Sequence, residues 1–135
     1  MITYRSVERL DPDAFIDLLV RSTLAERRPV HDRGRIERMI AGADIVVGAF
    51  EGSGDRLIGV SRALSDFAYC CYLSDLAVDA AWQGRGVGRR LVEVTRELAG
   101  PGATCLLFAA PSAEGFYDAI GMPRVDRAFL FPRES

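Results

Sequence analysis

An almost unbroken apolar run, YCCYLSDLAV at residues 69–78, is followed after only Asp79, Ala80 and Ala81 by WQGRGVGRR, in which Gly84, Gly86 and Gly88 alternate with Arg85 and Val87. The run is interrupted only by Ser74 and Asp75, and it predicts a central strand buried on both faces. Beyond the glycines, Val87, Leu91, Val94 and Leu98 step by four, three and four residues. That spacing predicts a helix with one apolar stripe, ended by Gly100 and Pro101. A strand that hands over to a helix through such a loop leaves the first N–H groups of the helix without intrahelical acceptors. Glycine removes the β-carbons that would hold a ligand away from the main chain, and it permits left-handed torsions, so successive N–H groups can converge on phosphate oxygens. Arg85, Arg89 and Arg90 add positive charge beside the loop. The implied ligand is a phosphorylated or pyrophosphorylated cofactor; the alternative is a glycine-rich turn with a structural role only.

The remaining elements are read from the same periodicities. ITYRSV predicts an opening strand, and DPDAFIDLLV a helix with Asp11 as cap, Pro12 in its first turn and an apolar face of Phe15, Leu18 and Leu19. Ile36, Met39 and Ile40 repeat that spacing in a second short helix, with AERRPVHD between the two as a loop or a broken helical turn. DIVVGAF and RLIGVSRAL, joined by EGSGD, predict a hairpin. TCLLFAA predicts a further strand, SAEGFYDAIG a short helix capped by Ser112 and stopped by Gly121, and RVDRAFLF a last strand. Strands that mix a hairpin with a helical crossover imply a mixed α/β sheet with helices on both faces.

Length and charge limit what such a sheet could serve. A chain of 135 residues, 49% of them hydrophobic, suits one domain spanning residues 1–135. Its formal net charge of -2 gives no reason to expect nucleic acid or a membrane surface as partner. The opening residues MITYRSVERL resemble neither a secretory signal nor a transit peptide, and no apolar run approaches a membrane span. Cys70 and Cys71 are adjacent and Cys105 is remote, which suits neither a disulfide framework nor a zinc site. The expected setting is a reduced cytoplasm, with no metal site and with the thiols buried as small apolar groups.

Spacing separates the kinds of phosphate loop. A Walker A loop ends in Gly-Lys-Ser/Thr, whereas Arg89 and Arg90 follow Gly88. A dinucleotide fingerprint would place a glycine at position 89 and would open a βαβ unit, and neither holds. The spacing that does match is Gln83-x-x-Gly86-x-Gly88. Here the chain resembles the GNAT superfamily of acyl-CoA-dependent N-acetyltransferases, whose hallmark is Gln/Arg-x-x-Gly-x-Gly/Ala between the fourth strand and the next helix. The likeness extends over YLSDLAVDAAWQGRGVGRRLVEV, and FYDAIGM resembles the Phe-Tyr-x-x-x-Gly-Phe motif of that family, with Met122 in place of the aromatic.

The resemblance implies a mixed, mostly antiparallel GNAT-type sheet and acetyl-CoA as acyl donor. It implies that main-chain groups of Gln83, Gly84, Arg85, Gly86, Val87, Gly88 and Arg89 cradle the pyrophosphate. The backbone edge of Leu76, Ala77 and Val78 would pair with the pantetheine arm, and a main-chain N–H there would stabilise the oxyanion formed during transfer. The expected function is acetyl transfer to a primary amine by direct attack in a ternary complex; the alternative is an acyl-CoA sensor without turnover. The partners are then acetyl-CoA and an amine acceptor, with a homodimer left open. By the same likeness Tyr117 is the expected acid for the departing thiolate. Asp75, a carboxylate within an apolar strand, is the candidate base, although the acidic residue common in the family one position earlier is here Ser74. A water chain ending at a main-chain carbonyl would serve equally. Glu26, Arg27, Arg28 and His31 lie in the segment that roofs the acceptor pocket in the family. Tyr69, Tyr72 and Trp82 stand between core packing and the site, with packing favoured.

Overall fold

A computed structural model of the chain describes every residue from Met1 to Ser135. Strand β1 (Ile2–Ser6) leads into helix α1 (Pro12–Arg21), where the Asp11 carboxylate accepts from the Ala14 N–H at 2.9 Å and Pro12 opens the first turn. A 3-10 turn at Leu24–Arg27 follows, the broken helical turn among the two readings of this segment. Helix α2 (Arg33–Ala41) begins on the Asp32 side chain. The hairpin follows as β2 (Ile45–Glu51) and β3 (Leu57–Ser65), with β4 (Cys70–Val78), α3 (Val87–Ala99), β5 (Thr104–Leu106) and α4 (Glu114–Ala119) completing the chain.

The five strands form one sheet in the order β1-β2-β3-β4-β5, antiparallel throughout except for the parallel pairing of β4 with β5. This is the expected mixed, mostly antiparallel sheet with helices on both faces. Phe15, Leu18, Leu19 and Ile36 of α1 and α2 close over Phe50, Val60 and Ala77 on one face, and Val87, Leu91 and Ala99 of α3 close over Val47, Ala49, Ile58 and Cys71 on the other. No helix is long and apolar enough to cross a membrane.

Four local expectations are corrected. Strand β4 is not buried on both faces: Cys71, Leu73, Asp75 and Ala77 are buried while Cys70 and Tyr72 are exposed. Within it, Arg62 pairs with Asp75 and Ala63 with Leu73, so Ser74 is an extra residue without a partner. This bulge turns the strand over, sending Cys71 to the α3 face and Ala77 to the α1 and α2 face. The buried stripe of α3 is Val87, Gly88, Leu91, Val92, Thr95 and Ala99, and Leu98 is exposed, because small residues let the helix lie close to β3, where the Thr95 and Ser61 hydroxyls meet at 2.6 Å. Ser112 lies in a 3-10 turn, Pro111–Ala113, and α4 has no side-chain cap. RVDRAFLF forms no strand: β5 pairs over Thr104–Leu106 only and offers no longer edge, and high β-propensity without a partner does not make a strand. Phe129 and Phe131 are accordingly almost fully exposed.

The cysteines are free but unlike one another, with Cys70 exposed and Cys71 buried, so the expectation of uniformly buried thiols holds only in part. Burial, reinforced by the neighbouring Cys105, pushes the Cys71 thiol up to about 11 from its usual 9.0. Folding therefore favours the protonated thiol, a contribution intact below pH 9.0 and lost as pH rises toward about 11. Since the thiolate is the reactive form, alkylation of native protein at pH 8 should modify Cys70 first and leave Cys71 intact until denaturant is added, as peptide mass mapping would read directly.

Candidate active site

Parallel pairing between β4 and β5 stops at Tyr72 and Leu106, so beyond that point β4 is bonded to β3 alone and its other edge faces a cleft. At the end of that edge, Asp79 accepts from the Ala81 N–H at 2.8 Å and starts a 3-10 turn, Ala80–Trp82, that delivers the chain into the glycine loop. Arg21 at the end of α1 holds Asp79 at 2.5 Å and the Leu57 carbonyl at 2.8 Å. The Ala81 N–H and this guanidinium keep the Asp79 carboxyl below its usual range. The Gln83 side chain donates to the Val78 carbonyl at 3.0 Å, tying loop to strand.

None of the N–H groups from Gln83 to Arg89 has an intramolecular acceptor. The glycines differ in purpose. Gly84 and Gly86 have φ of +79° and +84°, a conformation that L side chains avoid, and nothing lies within 4 Å of where their β-carbons would be. Gly88 is helical, and a β-carbon there would meet the Phe116 ring at 2.9 Å. The first two open the loop to a ligand, and the third seats α4 against α3.

A cleft of about 610 Å³ runs over this loop and the Leu76–Val78 edge, and α4 closes it with Phe116 and Tyr117. A second cleft, of about 390 Å³, continues past Leu76 along Tyr72, Leu73 and Ser74 toward α2. Leu76 and Tyr117 line both. The Tyr117 hydroxyl makes no hydrogen bond within the protein; burial raises its pKa, partly opposed by the positive charge of Arg28. The phenol thus keeps its proton well into the alkaline range.

Asp75 has no accessible surface, and the bulge turns it toward α1 and α2. One of its oxygens accepts from Arg28 Nε and the other from Arg62 Nε. Arg28 also donates to the Ser74 carbonyl at 2.9 Å, and Arg62 to the Ser74 hydroxyl and the Met39 carbonyl, each at 3.0 Å. Both carboxylate oxygens are thereby engaged by guanidinium groups, and Asp75, the expected base, itself lines neither cleft. Of the other named candidates, Glu26 and Trp82 line the first cleft, Arg28 and Tyr72 the second, and Arg27 both. His31 and Tyr69 are exposed and line neither. Arg85 stacks on Trp82 at 4.9 Å, so its side chain lies outside the loop's cup. Arg62, Arg35 and Arg133 were not singled out by the sequence reading. The available signal for Arg62 was a lone charge in the apolar stretch LIGVSRALS, matched by a lone opposite charge in the next strand.

Residues 42–121 match the family model described as "Acetyltransferase (GNAT) domain". The chain belongs to the GNAT acetyltransferase family. Over 120 residues this GNAT chain is 32% identical to the mycothiol acetyltransferase of Rhodococcus jostii (strain RHA1), covering 85% of its own length but 39% of that protein. It is similar in fold to a GNAT family acetyltransferase from Streptococcus pneumoniae TIGR4, with a TM-score of 0.80 at 17% identity and complete coverage of both chains. The aminoglycoside N-acetyltransferase AAC(6')-Iy, solved in complex with CoA, superposes with a TM-score of 0.72 at 16% identity over 100% of this chain and 96% of that one.

Removing one partner of a buried ion cluster strands the other charges and costs about 3–5 kcal/mol. Asp75→Ala should therefore lower the free energy of unfolding in urea by an amount in that range. Asp75→Asn should recover part of the loss by accepting one guanidinium N–H. A variant as stable as the parent would show that the cluster does not hold Arg28.

Proposed function

We propose that this GNAT chain transfers an acetyl group from acetyl-CoA to a primary amine by direct attack in a ternary complex. The observation that carries this reading is the meeting of two clefts at Leu76 and Tyr117, one of them floored by unpaired main-chain N–H groups. Acetyl-CoA fits the first: positive-φ glycines with open space above them suit a diphosphate, and an unpaired strand edge suits an amide-bearing arm. When bound, it supplies an acyl group activated as a thioester.

The chain's own residues then have separable roles. Main-chain N–H groups of Gln83 to Arg89 would hold the diphosphate, and the edge of Leu76, Ala77 and Val78 would pair with the arm along the cleft that Tyr117 closes. A main-chain N–H near Leu76 would donate to the thioester carbonyl oxygen. The incoming alkylammonium, with a pKa of roughly 10, must shed a proton, which water in the open second cleft would carry to solvent, and the departing sulfur must gain one. Tyr117 meets the second need, because its hydroxyl lies where the clefts join and burial keeps it protonated. Asp75 acts at a distance, positioning Arg28 on the wall of the second cleft. A sensor that binds acetyl-CoA without turnover would need the first cleft only, so the adjoining second cleft favours transfer.

With acetyl-CoA in excess, free thiol should accumulate when an amine acceptor is added. Tyr117→Phe should slow that release by roughly 10²-fold or more, the usual scale for a general acid, with acetyl-CoA affinity kept. Gly86→Val should instead weaken acetyl-CoA binding by about tenfold, the scale of forcing a side chain into left-handed backbone. Calorimetry separates the two, and an unchanged Tyr117→Phe rate would remove the phenol from the mechanism.

A further inference from the structure

We infer that the acceptor is a small amine that also carries an anionic group, an inference that rests on the transfer reading and names its substrate class. The second cleft is lined by Arg27, Arg28, Arg35, Arg62 and Arg133 and by no carboxylate residue. Arg28 and Arg62 share the single negative charge of Asp75, so that buried cluster alone is left with an excess positive charge. Arg27 and Arg133 have no carboxylate within ion-pair distance and no recorded guanidinium bond, whereas Arg35 donates one N–H to a main-chain oxygen of the final residue, Ser135, at 3.0 Å. A chain whose net charge is -2 thus concentrates unneutralised positive charge in one cleft.

Such a wall repels a polycation and attracts an anion, most strongly where water is scarce. Planar guanidinium groups also match the paired oxygens of carboxylates and phosphates. The lining also carries apolar surface, with Tyr72 and Phe108 edge to face at 6.1 Å. An acceptor with its amine at Tyr117, its anion toward Arg35 and Arg133, and an apolar body against Tyr72 would complement all three surfaces. At about 390 Å³ the cleft suits a molecule of amino-acid size.

The test uses matched pairs that differ only in the anion: phenylalanine against phenethylamine, phosphoethanolamine against ethanolamine, with spermidine as the polycation. Thiol release from acetyl-CoA should show kcat/KM about tenfold or more higher for the anionic member of at least one pair, the scale of a hydrogen bond to a charged group. The pair that shows it identifies carboxylate or phosphate as the anion. Added salt should narrow the gap, and the double variant Arg35→Gln, Arg133→Gln should bring the ratio toward one, chiefly through KM. Equal rates within both pairs, or spermidine as the best acceptor, would overturn the inference. Should no arm release thiol, the transfer reading itself fails. Calorimetry of the same pairs with CoA-loaded protein still decides this inference, tighter binding of an anionic member supporting it and equal binding overturning it.

Discussion

The separation of β4 from β5 after Tyr72 is the constraint on which the candidate site depends. A sheet paired to its end would have satisfied the backbone of Leu73–Val78 with a neighbouring strand and left no space beside it. Because β5 pairs over three residues only, that backbone faces a wedge instead. Helix α4 occupies the mouth of the wedge, seated by Phe116 against the bare Cα of Gly88, and this contact brings Tyr117 to the junction of both clefts. The glycine loop then lies at the open end of the same edge, held there by the Gln83 and Arg21 contacts.

A second device lies within β4. The extra residue at Ser74 reverses which face the strand presents, so Asp75 points away from the wedge and into a cage of Arg28 and Arg62. A buried ion cluster contributes little net stability compared with apolar residues of the same volume, since desolvation roughly cancels attraction. Its consequence is positional. It anchors the 3-10 turn at Leu24–Arg27 to the sheet and leaves positive charge on the wall of the second cleft.

Much of this was legible in sequence because it follows from local chemistry. The Asp11-Pro12 start, the hairpin around EGSGD and the glycine loop ahead of α3 all depend on residues close together in the chain. What escaped depends on partners far apart. The face reversal at Ser74 is a register event between two strands, and nothing in YCCYLSDLAV marks it. Asp75 stands alone in its apolar run, and the partners that engage its oxygens are Arg28, 47 positions away, and Arg62, 13 away. RVDRAFLF has a strand's composition but no edge to join. The arginine wall is assembled from a turn, a helix, a strand and the final segment, and so has no motif at all.

Per-residue amide hydrogen exchange, with and without saturating CoA, tests the central claim most directly. If the open edge of β4 and the glycine loop together hold the nucleotide thioester, protection should rise at the edge-facing amides of Leu76 to Val78 and at Gln83 to Arg89, with little change along β1 and β2. Saturable binding with those amides still exchanging as in the free protein would contradict the account.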